Sequence, residues 1–365
     1  MQDQDQFRSL EREEIRDLPV YVPGKPIDEV KREMGLQEVY KLASNENPWG
    51  PSPKALQAMQ EALQDVSRYP DSGAYPLKNR LAESFQVSPE HIMFGSGSDQ
   101  IVQIIATAFF RPGDEVLMGR PSFPRYETVT RLMGASPVEL PLVEGYYPLE
   151  EMKERITDQT RAIFICNPNN PSGTVRTEKE LRAFVEGIPK HILLIFDEAY
   201  FEFTQERFSG LAFLKGDRPV IVLRTFSKAY GLAGVRLGYA LSEPILIAAM
   251  NRVREPFNVN SVAQAGAMAA WQDQAYLEEV VKKTIVGRTL LTQELEKLGV
   301  QVLPSETNFI FARFPVEASE LNHKLLERGI IARPGFGDPQ AIRVSVGTEE
   351  ENEKLLEALK DLLKA

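Results

Sequence analysis

Lys228 is a candidate for covalent chemistry because of the residues around it. It lies in Thr225-Phe-Ser227-Lys228, just after an apolar run at Val220–Leu223, and Arg236 follows in the same glycine-containing stretch. A lysine that is partly shielded from water can lose its proton near neutral pH and attack a carbonyl carbon. This is the chemistry of a Schiff-base lysine. The segment alone leaves a solvated lysine beside a loop as an equal alternative.

A carboxylate and a phenol follow another apolar run. Asp197 and Tyr200 come directly after Ile192–Phe196. Out of water, a carboxylate needs a cation to stay ionised, which makes Asp197 a candidate binding residue. Aspartate is also a preferred N-cap of helices, so both interpretations stay open at this point.

An asparagine-rich loop follows the apolar run Ala162–Cys166. Its sequence is Asn167-Pro-Asn-Asn170-Pro-Ser-Gly-Thr174. The residue before a proline is restricted to extended backbone, so the two Asn-Pro pairs can hold asparagine amides towards a sheet edge. A plain polar turn is the alternative, and the constrained composition favours a functional loop.

A phosphate site is indicated by Gly95-Ser-Gly-Ser98-Asp99-Gln100, which opens a predicted helix. Free N–H groups and the positive end of a helix dipole suit a phosphate. Gln100 stands where a dinucleotide fingerprint has its third glycine, so that motif is excluded. Phe123 follows the run Glu115–Met118, where a flat ring can stack on a planar ligand, although a core aromatic is the more ordinary interpretation.

The elements that must position these residues alternate along the chain. Short apolar strands are predicted at Glu115–Met118, Ala162–Cys166, Ile192–Phe196 and Val220–Leu223. Helices are predicted at Lys54–Asp65, Asp99–Phe110, Arg125–Met133, Glu178–Gly187 and Ile245–Arg254. This alternation predicts an α/β fold with a mostly parallel sheet, whose ligands lie at the carboxyl ends of the strands.

A smaller α+β domain is predicted after a long helix at Gln272–Leu298. Its strands are expected at Val300–Leu303, Asn308–Arg313 and Ala341–Val346, with helices at Ala318–Arg328 and Glu349–Leu363. The predicted organisation is an N-terminal arm at 1–50 that packs with the small domain, a large domain at 51–255, linking helices at 256–295 and the small domain at 296–365.

Composition excludes several classes of protein. The net charge of −10 over 365 residues argues against nucleic-acid binding. The single cysteine, Cys166, excludes an internal disulfide and suits a reducing cytoplasm. The polar, acidic N-terminus does not fit a signal peptide, and the apolar runs are too short for a membrane span. The scattered histidines predict no metal site.

Together the candidate residues match what pyridoxal phosphate needs. That cofactor takes a lysine for its aldehyde, an anion for its ring nitrogen, donors for its phenolate, a phosphate cup and a stacking surface. The chain strongly resembles the fold-type I aminotransferases, and within them the histidinol-phosphate aminotransferase group, which implies their three-layer α/β fold. The matching segments are Leu42–Pro48, Arg68–Asp71, Asn167–Thr174, Asp197–Tyr200, Thr225–Lys228 and Arg343–Thr348.

The resemblance implies a role for each residue at the cofactor. Lys228 would form the Schiff base and then transfer the proton at the substrate carbon. Asp197 would bind the ring nitrogen, and Asn170 and Tyr200 the phenolate oxygen. Phe123 would stack on the ring in place of a more usual tyrosine. The phosphate would be bound by Ser98, Asp99, Thr225, Ser227 and Arg236.

The resemblance also implies a partner subunit and a substrate. Tyr69 would reach across a homodimer interface to the partner's cofactor phosphate. Arg343 and Arg333, with Asn47 and Tyr21 from the arm, would bind the phosphate of histidinol phosphate or the carboxylates of glutamate and 2-oxoglutarate.

Two alternatives stay open from the sequence, and a third is disfavoured. The nearest is an aminotransferase for phenylalanine or tyrosine on the same scaffold, in which a carboxylate replaces the phosphate. The second is a decarboxylase of a phosphorylated amino acid. The third, a cofactor-binding regulator without turnover, would need a DNA-binding module, for which the arm is too short and too acidic.

Overall fold

The structure of the protein is a computed structural model, which describes residues 10–16, 18, 20, 24–205 and 207–364. The strands of this part of the chain are β1 (Tyr40–Lys41), β2 (Ile92–Gly95), β3 (Glu115–Arg120), β4 (Ser136–Pro141), β5 (Thr160–Cys166), β6 (Leu193–Asp197), β7 (Val220–Thr225), β8 (Gly238–Ser242), β9 (Gln301–Val302), β10 (Phe309–Arg313), β11 (Ile330–Ile331), β12 (Arg333–Gly335) and β13 (Asp338–Ser345).

A seven-stranded sheet forms the centre of the molecule, in the order β2-β8-β7-β6-β5-β3-β4. The pairs from β7 through to β4 are parallel, and β8 runs antiparallel to both of its neighbours. The inner strands β5, β6 and β7 are buried on both faces, as their continuous apolar sequences predict. The predicted mostly parallel α/β fold is confirmed.

Helices cover this sheet and the smaller one. They are α1 (Glu13–Arg16), α2 (Ile27–Met34), α3 (Pro53–Ala62), α4 (Tyr75–Phe85), α5 (Gly97–Phe109), α6 (Arg125–Leu132), α7 (Leu149–Glu154), α8 (Glu178–Gly187), α9 (Pro244–Asn251), α10 (Ser261–Gln272), α11 (Gln274–Lys297), α12 (Ala318–Glu327) and α13 (Glu349–Lys364). Local sequence fixes several helix starts. Ser52 caps α3 with Pro53 in its first turn, and Thr177 and Glu180 form a capping box on α8.

A second, four-stranded antiparallel sheet, in the order β12-β13-β10-β9, packs with α12 and α13 around a core of its own. Strand β1 pairs in parallel with β11, so the segment just before the central domain runs alongside this smaller unit. Leu42 belongs to the smaller core. The domain ranges assigned from the sequence stay a prediction.

The long helix predicted at Gln272–Leu298 is α11 (Gln274–Lys297), which starts two residues later than predicted. Asp273 has a non-helical backbone between α10 and α11, and its carboxylate accepts a 2.9 Å bond from Lys54 on α3. Among the described residues, no helix is long and apolar enough to cross a membrane.

Candidate active site

A cavity of about 850 Å³ lies where the carboxyl ends of β5, β6 and β7 meet the start of α5 and the strands β12 and β13. Its position agrees with the rule that ligands bind at the carboxyl ends of parallel strands. The residues predicted from the sequence that line it are Ser98, Asp99, Phe123, Asn170, Asp197, Tyr200, Thr225, Ser227, Lys228, Arg236, Arg333 and Arg343.

Lys228 is half-buried at the base of this cavity. Its Nζ donates to the backbone oxygen of Ser44 at 3.2 Å and lies 5.6 Å from the centre of the Tyr200 ring. Burial lowers the pKa of Lys228 to about 8, and the positive charge of Arg343 acts in the same direction. A substantial fraction of this amine is therefore neutral and nucleophilic near pH 8.

Asp197 ends β6 as a buried carboxyl group. Its Oδ2 accepts from the hydroxyl of Tyr126 at 2.7 Å, and its Oδ1 from the backbone N–H of Ala199 at 3.1 Å. Burial raises the pKa of Asp197 to about 6 although both bonds favour the anion. A cationic group beside this carboxyl would lower that pKa and be bound by it.

Polar side chains from distant segments meet around Tyr200. The side-chain amide of Asn45 donates to the Tyr200 hydroxyl at 2.9 Å, and burial raises the pKa of that hydroxyl. Arg343 donates from Nη1 to Oδ1 of Asn170. The cavity therefore contains a phenol and an amide that are both oriented by their neighbours.

A cationic cup lies at the first turn of α5, which carries Ser98 and Asp99. Arg236 reaches it from a left-handed backbone conformation, with φ of 61°. Its Nη2 is 3.1 Å from Oδ2 of Asp99 and its Nη1 is 3.3 Å from Oγ of Ser227. Gly97, with φ of 76°, leaves room for this guanidinium, because a Cβ there would clash with Nη2.

The end of β7 completes the cup. The backbone N–H of Ser227 donates to Oγ1 of Thr225 at 3.1 Å, so both hydroxyl side chains face the same turn. With the N–H groups at the start of α5 and the Arg236 fork, this turn suits the oxygens of a phosphate.

Two arginines face each other at the opposite side of the cavity. Arg333 on β12 and Arg343 on β13 are partners in the antiparallel register. Arg343 donates from Nη2 to the backbone oxygen of Ala43 at 2.7 Å, and its guanidinium carbon lies 5.3 Å and 5.2 Å from the ring centres of Phe309 and Phe336. These two neighbouring arginines suit an anionic group of a substrate.

Two predicted residues are not brought to this cavity. Tyr69 is 82% exposed and stacks on Phe257 at 4.6 Å. Asn47 uses its amide within a turn, where Nδ2 donates to the backbone oxygens of Gly50 at 3.2 Å and Ala229 at 3.0 Å. Tyr21 lies outside the described residues.

Two residues that bond to the site are not among those predicted from the sequence. Tyr126 is predicted only as part of a helix, and Asn45 lies in a matching segment whose predicted binding residue is Asn47. A polar Ser-Asn-Glu-Asn run after an apolar pair pointed to both asparagines equally. For Tyr126 no local pattern indicated contact with a carboxyl group 71 residues away.

Comparison with known proteins shows the family. Residues 37–359 match the family model for aminotransferase class I and II. The chain belongs to this aminotransferase family. It is 45% identical to histidinol-phosphate aminotransferase 2 of Carboxydothermus hydrogenoformans, and 46% identical to histidinol-phosphate aminotransferase of Caldicellulosiruptor saccharolyticus. In each case the match covers 96% of this chain and 99% of the relative.

A solved structure extends the comparison to three dimensions. Histidinol-phosphate aminotransferase from Sinorhizobium meliloti, in complex with pyridoxal-5'-phosphate, matches with a TM-score of 0.90 and 30% identity over 98% of both chains. The donor set of this aminotransferase fits that cofactor. It offers a lysine with a lowered pKa, a buried carboxyl group and a cup of N–H, hydroxyl and guanidinium donors in one cavity.

Proposed function

We propose that this aminotransferase converts imidazole-acetol phosphate and glutamate to histidinol phosphate and 2-oxoglutarate in histidine biosynthesis, with pyridoxal phosphate as its cofactor. The observation that carries the proposal is the convergence of Lys228 with the facing pair Arg333 and Arg343 on one cavity. Near full-length identity above 40% to relatives with this name supports the same substrate.

Lys228 is the proposed catalytic lysine. When bound, the cofactor supplies an electron sink for negative charge at the substrate carbon that carries the amino group. The amine of Lys228 is available to take a proton from that carbon and to return one, because its lowered pKa of about 8 is close to working pH.

Asp197 is proposed to hold the positive charge of the cofactor ring nitrogen. Its raised pKa of about 6 is the consequence of burial, and a cation in contact with it favours the carboxylate. Each oxygen of Asp197 accepts one bond, Oδ2 from Tyr126 and Oδ1 from Ala199, so these two bonds fix the orientation of the carboxyl group. Asn170 and Tyr200 are proposed as partners of the ring oxygen, and Phe123 as the stacking residue.

The cup and the arginine pair are proposed to bind the two anionic ends. Ser98, Asp99, Thr225, Ser227 and Arg236 would bind the cofactor phosphate. Arg333 and Arg343 would bind the substrate phosphate, or a carboxylate of glutamate or 2-oxoglutarate in the other half of the reaction. Tyr21 and Asn47 remain proposed contributors from the arm.

A homodimer in the cytoplasm is part of the same proposal. Large apolar side chains are exposed close to Tyr69 in sequence, at Leu63, Val66 and Tyr75, and at Phe257, on which Tyr69 stacks. Exposed apolar surface of this kind suits an interface with a second copy, through which Tyr69 would reach the partner's cofactor phosphate.

Transamination between histidinol phosphate and 2-oxoglutarate tests the proposal directly. Formation of glutamate is expected with the unsubstituted protein, with histidinol phosphate strongly preferred to phenylalanine, and no turnover with Lys228→Ala. Arg333→Gln should raise KM for histidinol phosphate roughly 10-fold or more, because a charge-assisted pair with the phosphate is lost. Turnover of phenylalanine alone would contradict the proposed substrate.

A further inference from the structure

Gln100 lies where the phosphate-binding turn of α5 meets a loop that follows α9. Its Oε1 accepts from the backbone N–H of Ser96 and from Nδ2 of Asn258, both at 2.7 Å. Its Nε2 donates to Oε2 of Glu255 at 2.7 Å. Only one orientation of the amide satisfies all three partners, because a carboxylate cannot donate and an N–H cannot accept.

The loop at 254–258 is tied to two other parts of the molecule. Asn258 also donates to the backbone oxygen of Phe94 on β2 at 3.1 Å, and Arg254 donates to Oδ1 of Asn258 at 2.6 Å. Phe257 carries the ring on which Tyr69 stacks. Gln100 therefore connects the cup to the surface on which Tyr69 lies.

We propose that Gln100 is a positioning residue that joins the phosphate cup to this loop, and that retention of the cofactor depends on its contact with Glu255. The inference rests on the proposed function, which identifies the ligand in the cup. Ser96 directly precedes the turn that presents the N–H groups of Ser98 and Asp99. Its bond to Gln100 fixes where that turn begins.

The contact also controls a negative charge close to the cup. Glu255 lines the same cavity as the cup residues. A carboxylate there without a hydrogen-bond donor would repel a phosphate bound in the cup. The amide of Gln100 engages it as a donor. Three other charged groups lie around this contact. Arg254 is linked to it because it donates to Asn258, Asp99 is paired with Arg236, and Arg125 donates to Gln103.

Gln100→Glu tests the inference because glutamate has nearly the same shape as glutamine but replaces the N–H donor that faces Glu255 with a carboxylate oxygen. It sets two carboxylates at hydrogen-bond distance, a pair that is tolerated only while it shares a proton. The rate at which the holoenzyme releases cofactor after dilution can be measured by the absorbance of the cofactor. At pH 8.5 this rate should be about tenfold higher in Gln100→Glu than in the unsubstituted protein. At pH 6 it should be within about twofold.

A swapped pair and a charge-matched variant complete the design. In Gln100→Glu with Glu255→Gln, one donor and one carboxylate face each other again, so the release rate should return to within about threefold of the unsubstituted protein. Gln103→Glu adds the same charge one turn further along α5, beside Arg125. Its release rate should have no extra dependence on pH.

Two results would overturn the inference. One is an unchanged release rate in Gln100→Glu across pH 6 to 8.5, and the other is faster release that is independent of pH and is not restored by the swap. If Gln100→Glu does not fold, the swap must retain cofactor while Gln100→Ala releases it faster at every pH. An unsubstituted protein that holds no pyridoxal phosphate would instead contradict the proposed function.

Discussion

Burial moves the two groups at the centre of the site towards their neutral forms. The pKa of Lys228 falls to about 8, and that of Asp197 rises to about 6. For the lysine this is useful in itself, because a neutral amine reacts with carbonyl carbon. For the aspartate it is unfavourable until a cation arrives, which makes Asp197 a residue whose charge is stabilised by its ligand.

Asp197→Asn should therefore lower the kcat of the enzyme and raise the free energy of unfolding of the cofactor-free protein. In the folded protein the pKa of the Asp197 carboxyl group is about 6, which is above its ordinary value of 3.8. The unfolded chain thus loses this proton first, and the free energy of unfolding falls as pH rises from about 4 to 6. Removing the charge should raise the free energy of unfolding by about 1–2 kcal/mol at pH 8, and by less at pH 4. The kcat of the holoenzyme should fall roughly 100-fold.

Urea unfolding at the two pH values measures this effect, with Asp217→Asn as the matched control. Asp217 is an exposed partner of Lys190, and that ion pair lowers its pKa. Its substitution should give no gain in stability at pH 8. If the Asp197→Asn protein is less stable than the unsubstituted protein at pH 8, then burial of the charged Asp197 carboxylate does not destabilise the fold as argued.

Tyr126 should set the acidic side of the pH–rate profile through its bond to Asp197. Tyr126→Phe removes a donor that favours the carboxylate, so the pKa of Asp197 rises further. The acidic limb of kcat/KM should move to higher pH by about one unit. Tyr147→Phe is the control, because this buried tyrosine bonds to Ser122 instead. A common shift in both variants would point to packing rather than to the bond.

At the scale of elements, the turn before α5 depends on a glycine for space as well as for conformation. Gly97 and Gly113 both have positive φ, of 76° and 91°. A Cβ at Gly97 would clash with the Arg236 guanidinium, whereas a Cβ at Gly113 meets nothing within 4 Å. Gly97→Ala should therefore release cofactor at least about tenfold faster, since the Arg236 guanidinium must shift from its position in the cup.

Gly113→Ala separates strain from the clash in that experiment. Both variants carry the backbone penalty of an alanine at positive φ, which is about 1 kcal/mol. Thermal unfolding should register this loss in each, but cofactor release should change only in Gly97→Ala. Equal release rates in the two variants would remove the role given to the space at Gly97.

In the central sheet the sequence predicted the strands β3, β5, β6 and β7 and missed β2, β4 and β8. Continuous apolar runs predicted β3, β5, β6 and β7 within a few residues, because burial on both faces leaves a local pattern. Strand β4 contains two prolines and is half-buried, which fits an edge strand but weakens the pattern.

The same limit applies to the site. Residues at strand ends could be named in advance because parallel strands bring their carboxyl ends to one edge. Asn45 and Tyr126 could not be chosen, since their partners Tyr200 and Asp197 are 155 and 71 residues away. Only the packing of α6 and the segment before α3 against the sheet creates those bonds.

At the scale of the whole molecule, the site joins the two packing units. Asn45 bonds to Tyr200 of the central domain and accepts from Asn308 of the smaller unit at its backbone oxygen, at 3.0 Å. Arg343 reaches from β13 to Asn170 and to the backbone of Ala43. Substrate bound between Arg343 and Lys228 would therefore contact both units at once.

A mixture of two inactive variants should regain activity if Tyr69 completes the site of a partner subunit. Lys228→Ala removes the proposed catalytic amine. Tyr69→Ala removes the phenol that is proposed to cross the interface, which is 82% exposed in a single chain. In a hybrid dimer, one site receives Lys228 from one protomer and Tyr69 from the other, while the second site carries both lesions. Refolding or co-expressing equal amounts should restore about a quarter of the unsubstituted activity, because half of the dimers are hybrids with one intact site. Each variant alone serves as the control, and sedimentation checks that both dimerise. If the mixture is no more active than the sum of its parts, Tyr69 acts within its own chain.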